Sequence, residues 1–343
     1  MDAHSNSTRA ARSAAIMAAR LGGVASLAAI ALLAGCGKSD APASAAVKAA
    51  EHAKAAVNQD ASAQEVARAA RGDLDCPAKL TAPPRAANAP VDDVVGVRPG
   101  LSFDEASRVV ACTNDLLVVT PEVGRGFQIQ TYGQTLRQGF TARFAEPHVV
   151  KTGKQIVQEM EREATARGMN AVRQDLKPGQ AKWFVGTMGL PGQERVLSAA
   201  RQERFAADAS PTSESVRQAL LKKYGTPTQQ RTDPSHWVFI SWAYDPLGRL
   251  ITETSPLYNR CSGSVDPDAG VNLTPDCGIV VAAQIAPQRA NPDLVDKLSV
   301  GVVDGAGGYK LIADTEQGLQ RMDQQRRGDE VRKAAKDAKG PTL

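Results

Sequence analysis

The stretch "KWFVGTMGLPGQERVLSAAR", Lys182 to Arg201, places two apolar runs on either side of the turn-forming "LPGQ". That pattern predicts two antiparallel strands joined by a hairpin. Downstream, "HWVFISWAYDPLGRLITE" (His236–Glu253) predicts a strand, a turn at Asp245 to Gly248 and a second strand. "GIVVAAQIA" (Gly278–Ala286) and "KLSVGVVDG" (Lys297–Gly305) extend the sheet signal. Upstream, "GFQIQTYG" (Gly126–Gly133) and "GFTARFAE" (Gly139–Glu146) alternate apolar and polar residues as half-buried strands do.

Helical patterns interrupt these strands. "SPTSESVRQALLKKYGTPT" (Ser210–Thr228) has a hydroxyl cap, Val216, Leu220 and Tyr224 on one face, a stop at Gly225 and Pro227 beyond it. "TGKQIVQEMEREATARG" (Thr152–Gly168) sets Ile156, Met160 and Ala164 four apart, the mark of an amphipathic helix. "VDDVVGVRPGLSFDEASRVVAC" (Val91–Cys112) predicts a short strand, a turn at Pro99 and Gly100, a cap at Ser102 and a helix bearing Ala106, Val109 and Val110. The second half repeats the theme of the first. The expected fold class is α+β, a mostly antiparallel sheet with helices packed on one face, in two related sub-domains at 91–205 and 206–312.

The aromatic residues all lie between Phe103 and Tyr309, which bounds the packed core. Outside it the chain offers Ala, Gln, Lys, Arg and Asp, which bury too little apolar area to offset the ordering entropy. Residues 36–90 read as an Ala/Pro-rich tether, partly helical and then extended at "TAPPRAANAP" (Thr81–Pro90). Residues 313–343 read as a charged helical or disordered tail.

"MAARLGGVASLAAIALLAGC", Met17 to Cys36, joins Arg20, an apolar run and small residues before a cysteine, the pattern of a secretory signal. The run is short against the about 20 residues that span a bilayer. Leu33, Ala34, Gly35 and Cys36 resemble the bacterial lipobox, so residues 1–35 are expected to be a lipoprotein signal peptide and Cys36 the lipid-modified (palmitate-type) N-terminus. Gly37, in place of an aspartate, favours the outer membrane under the sorting rule of such lipoproteins. Met17 is also a plausible start, since the signal from there is complete.

Removing residues 1–35 takes away three arginines and one aspartate and lowers the formal charge from +4 to +2. With no concentrated basic stripe, nucleic acid is not an expected partner. Four cysteines remain, Cys76, Cys112, Cys261 and Cys277, an even number that reads as disulfides in an exported chain. Proximity favours Cys76 with Cys112 and Cys261 with Cys277.

Two segments carry a resemblance. "VVGVRPGLSFDEASRVV" is similar to the opening motif of the SmpA/OmlA (BamE-like) outer-membrane lipoproteins, and "SESVRQALLKKYGTP" is similar to its close, a helix ending on Gly-x-Pro. The first lacks that close, having Ala111 and Cys112, and the second lacks the opening glycine. The resemblance implies a small sheet with helices on one face and a role in binding other envelope proteins. It carries over no catalytic residue.

The chemistry-bearing residues are few. There is no GxSxG, HExxH, P-loop or GxGxxG. His52 lies in the tether, His148 reads as a surface residue, and His236 would need a nucleophile such as Cys261, which has a disulfide partner nearby. Zinc is disfavoured by the absence of CxxC. Asp266 and Asp268 in "DPDAGVN" could present oxygens to calcium, but the loop lacks the full ligand set and reads as a solvated turn. Trp237 and Phe239 should share one face, Trp242 and Tyr244 the other, one being core and one an interface. No catalytic, cofactor or metal site is expected. The expected function is a non-catalytic lipoprotein on the periplasmic face of the outer membrane, touching lipid through its acylated N-terminus and binding or scaffolding an envelope protein. Its alternatives are an inhibitor or immunity lipoprotein against a cell-wall-degrading enzyme and an unrecognised envelope hydrolase.

Overall fold

The computed structural model describes residues 60–122, 127–168, 176–271, 273–338 and 340. The signal segment, Cys36 and residues 36–59 of the expected tether lie outside the described residues. The fold is α+β. Its helices are α1 (Ala63–Arg71), α2 (Phe103–Ala111), α3 (Gly153–Gly168), α4 (Ser213–Tyr224) and α5 (Gly305–Asp337). Its strands are β1 (Leu117–Pro121), β2 (Gly139–Phe144), β3 (Ala181–Met188), β4 (Arg195–Arg204), β5 (Gln229–Thr232), β6 (Val238–Ala243), β7 (Ile279–Pro287) and β8 (Val295–Asp304).

All eight strands form one sheet in the order β1-β2-β3-β4-β8-β7-β6-β5, antiparallel throughout. Each half is a helix followed by a four-strand meander, α2 with β1–β4 and α4 with β5–β8. The two meanders meet through their last strands, from Ser198 opposite Val303 to Arg204 opposite Lys297.

Both helices begin on hydroxyl caps. Ser102 and Glu105 form a capping box at α2, and the Thr212 hydroxyl accepts from Ser215 N–H at α4. Phe103, Ala106 and Val110 of α2, and Val216, Leu220 and Tyr224 of α4, pack on one sheet face with Phe140, Trp183, Val185, Ile240, Trp242, Val281 and Ile285. Trp242 is fully buried and donates its indole N–H to Gly225 O at 2.9 Å, with its ring centroid 5.0 Å from that of Tyr224. Burying a large aromatic with its polar atom satisfied anchors the second half.

Residues 60–101 run over the body. Ala67 of α1 is buried, Arg71 bonds Asn114 O and Asp115, and Cys76 is joined to Cys112 at the end of α2. Glu105 then holds the following chain: one carboxylate oxygen accepts from the Thr81 N–H, the Thr81 hydroxyl and the Ala82 N–H, the other from Ser102. Burial opposes the charge on Glu105, but the backbone donors outweigh it and pull its pKa down to about 2. The Tyr224 hydroxyl donates to Asp93 O, and Lys223 pairs with the Asp93 carboxylate, so this segment spans from α2 to α4. The distal part of the expected tether, 60–90, is thus held to the body.

Several local expectations differ from the structure. "GFQIQTYG" forms no strand over its described residues and lies in the connection between β1 and β2. "VDDVVGV" makes a tight turn, with an isolated bridge from Val94 to Val97, instead of a strand. The strand expected after the Asp245 turn is reduced to the bridge between Tyr244 and Leu250. The charged tail is a helix from Gly305, about 50 Å long at 1.5 Å per residue. Its first half is packed, with Leu319 fully buried, and beyond Asp323 its described residues are exposed apart from a partly covered Gly328.

Candidate functional site

The sheet face opposite α2 and α4 is built from the alternate residues of each strand. Pairing across the strands produces two rows on it. One runs Phe184, Ala200, Gly301, Ala282, Ser241; the other runs Lys182, Gln202, Ser299, Gln284, Phe239, Arg231. The first row is small at its centre and the second is polar with an aromatic.

The small row has a cover. The connection between β6 and β7, residues 244–278, folds back over the sheet as a strap closed by the Cys261–Cys277 disulfide. A Cβ at Gly301 would lie 1.7 Å from Ser264 O, so the strap backbone lies directly on β8 and only glycine fits beneath it. The space left between strap and sheet is about 10 Å³, room for roughly one water. The strap over Lys182 and Phe184, together with α5 packed on β3 and β4, accounts for the burial of β3 along its whole length, although an antiparallel strand commonly has one wet face.

Asp268 pins the strap at its far end. Its carboxylate pairs with Lys182 of β3, whose side chain is 5% exposed, and with Arg143 of β2 at 2.9 Å. Burial opposes ionisation of Asp268, but the Lys182 hydrogen bond and the charges of Lys182 and Arg143 hold its pKa below the ordinary carboxylate value. The solvated turn expected here is therefore an ion-paired latch, because residues distant in sequence supply two cations. At the other end, Gly305 and Ala306 N–H donate to Gly278 O and Cys277 O, tying the strap to the start of α5.

The polar row stays open beside the strap. Lys182, Gln202, Gln284, Lys297 and Ser299 line a recess of about 210 Å³, with Trp237 and the strap residues Asp266 and Asp268 on its walls. Gln202 donates to Ser299 Oγ at 2.9 Å, which fixes the floor. Along the other strap edge a wider depression of about 400 Å³ is bounded by Phe239, Arg231, Gln229, Tyr258 and Ser262. The Arg231 guanidinium lies 3.9 Å over the Phe239 ring. Aromatic faces, side-chain amides and cations along a groove suit an extended polypeptide carrying acidic groups.

The residues singled out in the sequence are dispersed. Trp237 and Phe239 do share the open face, while Trp242 is core and Tyr244 packs against it. His148 and His236 are exposed and lie apart from the strap cysteines, and Cys261 is bonded to Cys277. Among the described residues no group of His, Cys, Asp and Glu is arranged to hold a metal ion. No helix among them is long and apolar enough to cross a membrane. Lys182, Arg143, Gln284 and Lys297 carried no signal in the sequence, because only strand register brings them together.

In comparisons with protein-family models, curated proteins and solved structures, nothing matches this chain.

Proposed function

We propose that the chain is a lipoprotein anchored through Cys36 at the periplasmic face of the outer membrane, and that its body binds an envelope protein without catalysing a reaction. The observation that carries this reading is the pairing of all four cysteines beyond Cys36 into two disulfides, one joining the 60–101 segment to the end of α2 and one within the strap. Such pairs persist in an oxidising compartment, to which the signal pattern before Cys36 would deliver the chain. The equivalent placement of α2 and α4 also suits the resemblance to SmpA/OmlA lipoproteins, whose motif pieces open α2 and close α4.

The binding surface in this reading is the groove beside the strap. A partner segment lies along Trp237 and Phe239, with its acidic groups toward Lys297 and Arg231. A photoreactive residue placed at Trp237 in cells should cross-link to one envelope protein, and Lys297→Glu should reduce that product severalfold. Absence of a protein adduct at 237 would overturn the binding reading. Intact mass of the membrane-extracted protein should show a diacylated or triacylated Cys36 as first residue; any other mature N-terminus would overturn the anchor.

A further inference from the structure

The connection between β2 and β3 holds an apolar surface that no described residue covers. In α3, Ile156, Val157 and Met160 occupy one helical face and are 46%, 54% and 64% exposed. Val149 and Val150, just before the helix, are half exposed as well. Lys154, Glu159 and Glu161 lie off this stripe, and Lys151 pairs with Glu159. The helix is amphipathic as its sequence predicts, yet its apolar face has not been used in the core.

The position of this patch in the molecule indicates what covers it. Ala61, at the start of the described body, forms a reciprocal pair of backbone hydrogen bonds with His148, each 2.9 Å. Asp60 accepts from Val150 N–H at 2.7 Å. The chain arriving from Cys36 is therefore fastened to the segment that leads into α3. The point at which the tether joins the body and the exposed apolar surface are the same place.

We propose that this patch, Val149, Val150, Ile156, Val157 and Met160, rests in the lipid interface beside the acyl anchor, with α3 parallel to the membrane plane. The inference rests on the anchor reading above. Five half-exposed aliphatic side chains present far less than the roughly 800 Å² per partner of a standard protein interface. They are enough for a supplementary contact, because one membrane signal holds a protein only weakly and a second makes attachment stable. The chain between Cys36 and Asp60 can span at most about 85 Å, which keeps the patch within reach of the surface that holds Cys36. With α3 seated, the lipid fixes which way the strap groove points.

The test uses the full mature chain, with lipidation at Cys36 verified by mass, in vesicles of phosphatidylethanolamine and phosphatidylglycerol containing a brominated lipid. Met160→Trp should show added emission that the brominated lipid quenches, roughly twofold more than a tryptophan placed at exposed Leu247. Adding Ile156→Ser and Val157→Ser should remove the excess quenching; these side chains are exposed, so the fold is retained. A lipidated protein with equal quenching at 160 and 247, or with none at 160, overturns the proposal while the anchor stands. If Cys36 proves unmodified, the anchor reading falls by itself, and the same probe is then read on the unlipidated chain added to vesicles. Quenching at 160 there still supports the interfacial helix, and its absence overturns it.

Discussion

The two halves of the sheet carry long connections at the same point, between their second and third strands: residues 145–180 in the first and 244–278 in the second. They are nearly equal in length and opposite in behaviour. The second folds back onto the sheet, held by a disulfide at one end and by Asp268 at the other, over a floor reduced to Ala200, Gly301 and Ala282. The first contains no cysteine and carries its apolar side chains outward on α3. Closing a loop by a cross-link removes entropy from the unfolded chain, and a charge partner on the sheet fixes where it lands. Apolar residues alone did neither for α3.

Removing the closure should have the greatest effect. Cys261→Ser with Cys277→Ser is expected to lower stability by about 3 kcal/mol, the entropy of a loop of this length. Urea unfolding measures the loss, and limited proteolysis between 262 and 276 should find the strap cleaved first. An unchanged midpoint would mean the strap is held by its packing on Gly301 and not by its cross-link. Next comes the latch: Asp268→Asn should cost about 2 kcal/mol, since a hydrogen bond to a buried charge is lost at Lys182. Amide exchange along β8 beneath the strap should then quicken while β2 is unaffected.

Acid should weaken the same latch in the wild-type chain. The folded pKa of Asp268 is depressed, so its contribution is complete above the unfolded value of about 3.9 and is lost as pH falls through the lower folded value. Strap proteolysis with an acid-active protease should rise in that window, and Asp268→Asn should remove the dependence. The least effect belongs to the first connection. Ile156→Ser and Met160→Ser in the detergent-free, unlipidated chain should each shift stability by no more than about 0.5 kcal/mol. Ile240→Ala, in the core, should cost about 3 kcal/mol by comparison. A large loss at 156 or 160 would show that α3 packs against the body in solution.

The elements that could be read from sequence are those whose signals are local. Thr212, Gly225 and the Val216, Leu220, Tyr224 face define α4, and "LPGQ" defines the β3–β4 hairpin. The cysteine pairing followed from proximity. By contrast, β5 is "QQRT", a polar edge strand formed because β6 offers it a partner, and no alternation announces it. "GFQIQTYG" shows the converse, alternation that forms no strand even though β1 ends the sheet on that side. The strap latch was invisible for a related reason. Asp268 is separated by 86 residues from Lys182 and by 125 from Arg143, so nothing near it in the chain marks it as anything but a turn carboxylate.

The seam between β4 and β8 has a consequence for how such a chain could arise. Each half ends in a ten-residue strand whose outer edge is satisfied only by the other half. A chain containing one half would expose that edge, and two such chains could close it by pairing their last strands antiparallel. The result would be an eight-stranded sheet with the same strand order. Within one chain, the protein therefore has the strand plan of a two-fold dimer.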